Sequence, residues 1–198
     1  MRILAFSDLH CDLDQAAKLT ELSGDVDVVV GAGDFASVHQ GLEETIDALS
    51  GITVPTVLVP GNNETEDALR GAAAGWEAAT VLHGEGTEIA GQAFYGLGGG
   101  IPVTPWGWSF DLDEDEAAAK LAGLPEGAFL VVHSPPKGHC DSGEGGPHFG
   151  STAILSAIEA KQPVVAVCGH IHEAWGQVSQ VGSTEVRNLG PSGTIIEI

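Results

Sequence analysis

Five short apolar runs in this chain each empty into residue types that can bind metal ions. RILAF is followed by Ser7-Asp8-Leu9-His10, DVVVGA by Gly33-Asp34, TVLVP by Gly61-Asn62-Asn63-Glu64, AFLVV by His133-Ser134-Pro135-Pro136, and VVAVC by Gly169-His170-Ile171-His172. Singly, each has an ordinary explanation: Asp, Asn and Gly suit turns, and a His after a strand commonly hydrogen-bonds within its loop. Together they are hard to read as turns, because burying so many polar groups in one cleft is costly unless something binds them. Asp8 and Asp34 offer carboxylates, Asn62 an amide, and His10, His133, His170 and His172 imidazoles, with no thiolate among them. That mixed nitrogen and oxygen set suits Mn, Fe, Zn, Co or Ni better than the all-oxygen shells of Ca or Mg. So many donors exceed one tetrahedral site and suit two ions, with an Asp between them giving one oxygen to each. The two His of GHIH would point to opposite sides of a strand, so a turn after Gly169 must aim both inward, one for each ion.

The elements that must bring these residues together are short strands alternating with helical segments. The apolar runs, bounded by Gly, Pro or polar residues, read as buried strands. Between them, residues 14–23, 41–50, 64–74, 113–122 and 151–160 have helical composition. Asp113 ahead of Glu116, and Ser151 ahead of an apolar stretch, are helix-start signals. Alternation of this kind predicts α/β layering, in which loops beyond the carboxyl ends of the strands converge on one crevice. GQAFYGLGGG and the tail 177–198 carry β-type residues punctuated by Gly and Ser, and are expected to form hairpins or antiparallel edges. The sheet is therefore mixed, with a second sheet expected. GGGIPVTPWGWSF reads as a surface loop, and no internal repeat or low-complexity linker is evident.

With 198 residues, one compact domain over 1–198 is expected. Apolar residues make up 43% of the chain, so its acidity overlies an ordinary core. The 28 Asp plus Glu against seven Lys plus Arg give a formal charge of -21, which repels phosphate backbones and excludes non-specific nucleic-acid binding except where bound ions reverse the field. Such acidity also fits a high-salt habitat, where screening relieves self-repulsion. Cys11, Cys140 and Cys168 are odd in number and show no Cys-x-x-Cys spacing, so neither a disulfide framework nor a zinc knuckle is implied. Together with the lack of a signal-peptide core or a run near the ~18 apolar residues of a membrane span, they lead to the expectation of a cytoplasmic protein with no membrane partner.

Asp8-Leu9-His10, Gly33-Asp34, Gly61-Asn62-Asn63-Glu64, His133 and Gly169-His170-Ile171-His172, in this order, resemble the calcineurin-like metallophosphoesterases. The resemblance spans nearly the whole chain and is specific as a five-block set. It implies a two-sheet mixed β-sandwich flanked by helices, in four αββα layers. It implies that Asp8, His10, Asp34 and His172 hold one metal, that Asp34, Asn62, His133 and His170 hold the other, and that Asp34 bridges them. The implied cofactors are two divalent transition metal ions, Mn first, with Fe, Zn, Ni or Co as alternatives. The implied reaction is hydrolysis of a phosphoester by hydroxide, since two close cations lower the pKa of a shared water. The stretch HSPPKGHCDSGEGGPHFGS further resembles a compact branch of small phosphodiesterases, so the expected substrate is a small phosphodiester, a nucleotide among the possibilities. A phosphomonoesterase, or a scaffold that keeps the metal site with weak catalysis, is the alternative.

Asn63 stands where most of that family has a His that contacts the phosphate and assists the leaving group. An amide does not titrate near neutral pH and cannot donate a proton in that way. Asn63 is therefore expected to hydrogen-bond a phosphate oxygen at most, and His148, in the long loop bordering the cleft, is the candidate substitute. His39 is a weaker candidate, while His83 and His139 read as ordinary loop residues. Lys137 is the candidate phosphate contact of the His-x-Pro-Pro loop. Trp106, Trp108 and Phe110 could form an apolar wall for a nucleobase or pack down as a local cap.

Overall fold

A computed structural model describes residues 1–198. Eleven strands and five α-helices follow in the order β1 (Arg2–Phe6), α1 (Leu13–Leu22), β2 (Val28–Gly31), α2 (Leu42–Leu49), β3 (Thr56–Leu58), α3 (Glu66–Ala73), β4 (Ala79–Val81), β5 (Glu85–Ile89), β6 (Gln92–Leu97), α4 (Glu114–Leu121), β7 (Phe129–Val132), α5 (Thr152–Lys161), β8 (Val165–Cys168), β9 (Val178–Val181), β10 (Thr184–Asn188) and β11 (Thr194–Glu197). One sheet has the order β11-β1-β2-β3-β4 and the other β5-β6-β7-β8-β10-β9. The strands β1 to β4 are parallel, and β11 closes that sheet antiparallel to β1.

The two-residue period of a strand divides its side chains between two cores. From β1, Leu4 and Phe6 pack under α1, α2 and α3 with Ala16, Leu19, Ile46, Leu49 and Leu69. Its intervening residues Ile3 and Ala5 face the other way, and meet Phe94, Phe129, Val131 and Val167 of the second sheet. The outer face of that second sheet offers Leu97, Leu130, Val132 and Cys168 to Ala117 and Leu121 of α4 and Ile154 and Ile158 of α5. The result is helices, sheet, sheet, helices, as the four-layer expectation has it.

The tail contains the hairpin of β9 with β10, and β6 of the first glycine-rich region forms a hairpin with β5, which lies just ahead of that region. The hairpins form as expected, and their inner strands also extend the sheet: β6 runs parallel to β7, and β10 parallel to β8. A hairpin strand that docks its free edge on a central strand becomes interior to the sheet, and the hairpin's outer partner takes the edge. The capping signals act as read, with Asp113 and Glu116 forming a reciprocal capping box on α4 and Ser151 capping α5 through the Ile154 N–H.

Candidate metal centre

All five polar loops leave the carboxyl ends of parallel strands, β1, β2 and β3 in one sheet and β7 and β8 in the other. Asp8, His10, Asp34 and His170 all have positive φ, between 45° and 66°. That region is uncommon outside glycine, though Asn, Asp and His enter it more readily than other residues, so four together mark a site whose geometry is held by its surroundings. The loops also approach too closely for side chains at their turns. A Cβ on Gly61 would lie 2.0 Å from Asp34 Oδ1, and one on Gly169 would lie 2.4 Å from Asp8 Oδ2. Glycine is needed there for close approach of backbone to carboxylate.

Two groups of donors result, Asp8, His10 and His172 in one and Asp34, His133 and His170 in the other, with the ligating atoms of each within 4.8 Å of one another. Asn62 adds its amide oxygen to the second group, 3.2 Å from His133 Nε2 and 3.0 Å from His170 Nδ1. Asp34 faces both groups: Oδ2 lies 3.6 Å from His10 Nε2, and Oδ1 lies 3.5 Å from His133 Nε2. The turn at His170 sends the two histidines of GHIH to different groups, and His172 Nε2 sits 3.7 Å from Asp8 Oδ1. The structure thus brings together all seven donors read from the sequence.

Tautomers are set from behind. His10 Nδ1 faces the Ala36 carbonyl at 3.2 Å and His133 Nδ1 the Ala32 carbonyl at 2.8 Å, so in the neutral ring each Nδ1 carries the hydrogen and each Nε2 turns a lone pair to the cleft. The two Nε2 atoms of His10 and His172 stand 3.2 Å apart, a spacing that suits two donors on one cation. Ser7 Oγ and Trp175 Nε1 donate to Asp8 Oδ2, and the His170 N–H donates to Asp8 Oδ1. Donor chemistry, spacing and outer hydrogen bonds all fit a pair of divalent ions.

The electrostatics of the cleft are set by these same neighbours. Burial alone would raise the Asp34 carboxyl, but the charge and hydrogen bond of His133, then His10 and the Asn63 N–H, outweigh it and hold it well below the usual carboxylate range. Burial works against the charged form of His133, yet the Asp34 and Asp8 carboxylates push it up to about 9. His170, buried and beside His133, falls to about 3.

Glu64 is a buried residue whose role the sequence did not disclose. Its Oε1 accepts from the Asp34 N–H at 2.9 Å and the Gly61 N–H at 2.6 Å, and its Oε2 accepts from the Ala36 N–H at 3.0 Å. One carboxylate therefore sets the loop carrying Asp34 against the loop carrying Asn62. Burial first, and the neighbouring Asp34 charge second, push its carboxyl up to about 7. An acid in an otherwise apolar and amide-rich stretch, PGNNET, was the available signal.

Asn63 is nearly buried and committed to the protein: Nδ2 donates to Asp34 Oδ2 at 2.8 Å, and Oδ1 accepts from the Val38 N–H at 2.8 Å. His148 and Lys137 meet each other rather than any of the seven, the Lys137 ammonium donating to the His148 carbonyl at 2.6 Å. His39 Nε2 reaches the Trp108 carbonyl at 2.6 Å, and His139 Nδ1 pairs with Ser179 Oγ. Trp106 and Trp108 stack on each other 5.7 Å apart and stay exposed, whereas Phe110 packs on His83. Ser109 ties this aromatic loop to the centre by accepting from Asn62 Nδ2 at 2.9 Å.

Residues 1–195 match the family model described as the calcineurin-like phosphoesterase superfamily domain. The chain belongs to that superfamily. It is 27% identical to a Caenorhabditis elegans UPF0046 protein over 93% of this chain and 68% of that one. It is 34% identical to human metallophosphoesterase domain-containing protein 1 over 44% of this chain, a match spanning only 28% of the human protein's length. Among solved structures, TT1561 of Thermus thermophilus superposes with a TM-score of 0.78 at 20% identity, covering 96% of this chain and 90% of that one. Phosphopantetheinyl hydrolase of Mycobacterium tuberculosis superposes with a TM-score of 0.64 at 16% identity, over 96% and 89%. These likenesses carry the fold, and the chain contains a calcineurin-like phosphoesterase domain with two His/Asp groups able to hold metal. No helix in it is long and apolar enough to cross a membrane.

Proposed function

We propose that this phosphoesterase hydrolyses a small phosphodiester at a pair of divalent transition-metal ions, with water as the nucleophile. The observation that carries the reading is Asp34, whose two oxygens face the two donor groups separately. In this reading Asp8, His10, Asp34 and His172 hold one ion, and Asp34, Asn62, His133 and His170 the other. When bound, such ions supply Lewis acidity that lowers the pKa of a water and neutralises charge on phosphoryl oxygens. The protein's own part is to orient the donors through Glu64, Asn63 and Trp175, and to fix the imidazole tautomers through the Ala32 and Ala36 carbonyls.

Preference for a diester follows from charge. No Lys or Arg side chain hydrogen-bonds to any of the seven donors; Arg70 and Arg187 pair with glutamates, and Arg2, Lys120 and Lys137 with carbonyls. A monoester dianion or a polyphosphate would therefore bring extra negative charge into a molecule of net charge -21 with only the ions to meet it. The singly charged diester costs least. The exposed Trp106 and Trp108 pair, one residue from Ser109, offers a planar apolar face that suits a nucleobase substituent.

The test is hydrolysis of bis(para-nitrophenyl) phosphate and para-nitrophenyl phosphate by metal-stripped protein, with Mn, Ni, Co, Zn or Mg added back. We expect turnover to return with a transition metal, Mn first, and to favour the diester. Faster turnover of the monoester would replace this reading with a phosphomonoesterase, and no turnover by folded, metal-loaded protein would replace it with a scaffold.

A further inference from the structure

A phosphodiester's leaving oxygen departs as an alkoxide or phenoxide unless something protonates it. Asn63 has no proton to give and both ends of its amide are in use within the protein. Of the four histidines outside the seven donors, His39 reaches a carbonyl, His139 a hydroxyl, and His83 is buried with Nδ1 accepting from the Gly98 N–H. His148 alone faces a carboxylate. Its Nδ1 lies 2.6 Å from Asp141 Oδ1, with 1% of the Asp141 side chain exposed against 53% of His148's, and its Nε2 makes no hydrogen bond within the chain.

Asp141 is built in. Its second oxygen accepts from the Gly138 and Gly150 N–H groups, both at 2.9 Å, which closes the loop on itself. Burial would raise its carboxyl, but the His148 hydrogen bond and these two N–H groups outweigh burial and lower it, so the carboxylate form is the stable one. A carboxylate behind Nδ1 fixes the hydrogen there and aims Nε2 outward.

The loop is also placed at the cleft from two sides. At its base the Ser151 N–H donates to the Pro135 carbonyl at 2.9 Å, two residues from His133. Farther along, Asn188 Nδ2 draws the carbonyls of Cys140, Gly169 and Ile171 together at 3.0, 3.1 and 3.2 Å, joining this loop to the turn that carries His170 and His172. Gln177 Nε2 adds a bond to the Ser142 carbonyl at 3.0 Å. His148 thus stands on a loop hydrogen-bonded to both second-sheet donor segments.

We propose that His148 is the catalytic proton donor to the leaving group and that Asp141 is its positioning residue, an inference that rests on the phosphodiesterase reading. Water's oxygen forms the new bond to phosphorus and loses a proton to solvent. The bond to the leaving oxygen breaks, its electron pair stays on that oxygen, and the Nε2 proton of His148 neutralises it. Solvent then reprotonates Nε2 while Nδ1–H stays on Asp141. General acid catalysis of this kind contributes ~10² to 10⁴ in rate, and most when the leaving group is poor.

The test compares two diesters, bis(para-nitrophenyl) phosphate, whose leaving group is stable as an anion, and diphenyl phosphate, whose leaving group is not. In metal-loaded protein, His148→Gln is expected to lose about 10²-fold or more in kcat on diphenyl phosphate and less than tenfold on the nitrophenyl diester. Asp141→Asn should show the same divergence at smaller size, with bound metal unchanged in both variants. Equal losses on the two diesters, or no loss on diphenyl phosphate, would overturn the donor role while leaving the diesterase intact. No turnover of either diester by the unaltered protein would overturn both proposals together.

Discussion

At the scale of single residues, the centre is a set of side chains held by groups that would touch neither metal nor substrate. Asn63 illustrates this. Outer hydrogen bonds to a ligating group commonly contribute 10- to 100-fold in metal affinity. Asn63→Ala removes the bond to Asp34 Oδ2 and the anchor of Val38 while leaving every donor in place. We expect metal affinity to fall by about 10- to 100-fold, measured by competition with a chromophoric chelator, with little change in the far-ultraviolet circular dichroism. His83 gives a prediction away from the donors. Burial first, and Lys120 second, press its imidazole down to about 4, against Glu66 and Glu85 and with Arg70 adding to the depression. A depressed folded value means that the unfolded chain binds the proton more readily between about 4 and 6.5. The stability it contributes is thus present above 6.5 and is lost as pH falls through 4. His83→Gln should flatten the decline of stability between those pH values, read by urea unfolding at several pH values; an unchanged slope would remove His83 from the acid limb. The donors themselves were legible because five apolar runs all end in Asp, Asn or His, a coincidence that turn preference alone does not explain. Asp141 was not, because a contact closing a loop from 141 to 148 leaves no periodic trace.

At the scale of elements, the sequence disclosed those with a strong local signature. All five helices fall within a residue or two of the segments read from composition, since each carries its own apolar stripe and four have a side-chain cap. The strands β4 and β5 escaped notice: β4 is only three residues long, and β5, EGTEI, is an edge strand with polar residues and little burial. An edge strand needs only one neighbour and one packed face, so it need not be apolar. Helix pairing was also invisible. Glu114, in the first turn of α4, accepts from Ser151 Oγ and from the N–H groups of Thr152 and Ala153, so one helix caps the start of the other. A carboxylate there satisfies otherwise unpaired donors and meets the positive end of α5. Glu114→Ala should cost about 1–2 kcal/mol of stability by denaturant unfolding. A loss below a few tenths would mean that water replaces the carboxylate without penalty.

At the scale of the whole molecule, the dominant facts are the net charge of -21 and the two stacked sheets. Screening shortens from ~10 Å at 0.1 M salt to ~3 Å at 1 M, so repulsion among surface carboxylates should fade over that range. We expect the melting temperature to climb steadily with KCl into the molar range; a flat response would remove the high-salt reading of the composition. The layering of the sheets was foreseeable from alternating strands and helices, whereas the parallel docking of β6 on β7 and β10 on β8 was not, because a hairpin sequence does not say which free edge it will meet. The donors have a further consequence through their origins. Asp8, His10, Asp34 and Asn62 follow strands of one sheet, and His133, His170 and His172 follow strands of the other. Each donor group therefore takes members from both halves of the sandwich. Bound ions would act as clasps across the seam between the halves, and withdrawing them would loosen the protein's architecture along with its chemistry, making a chelator as much a solvent of the fold as an inhibitor of the reaction.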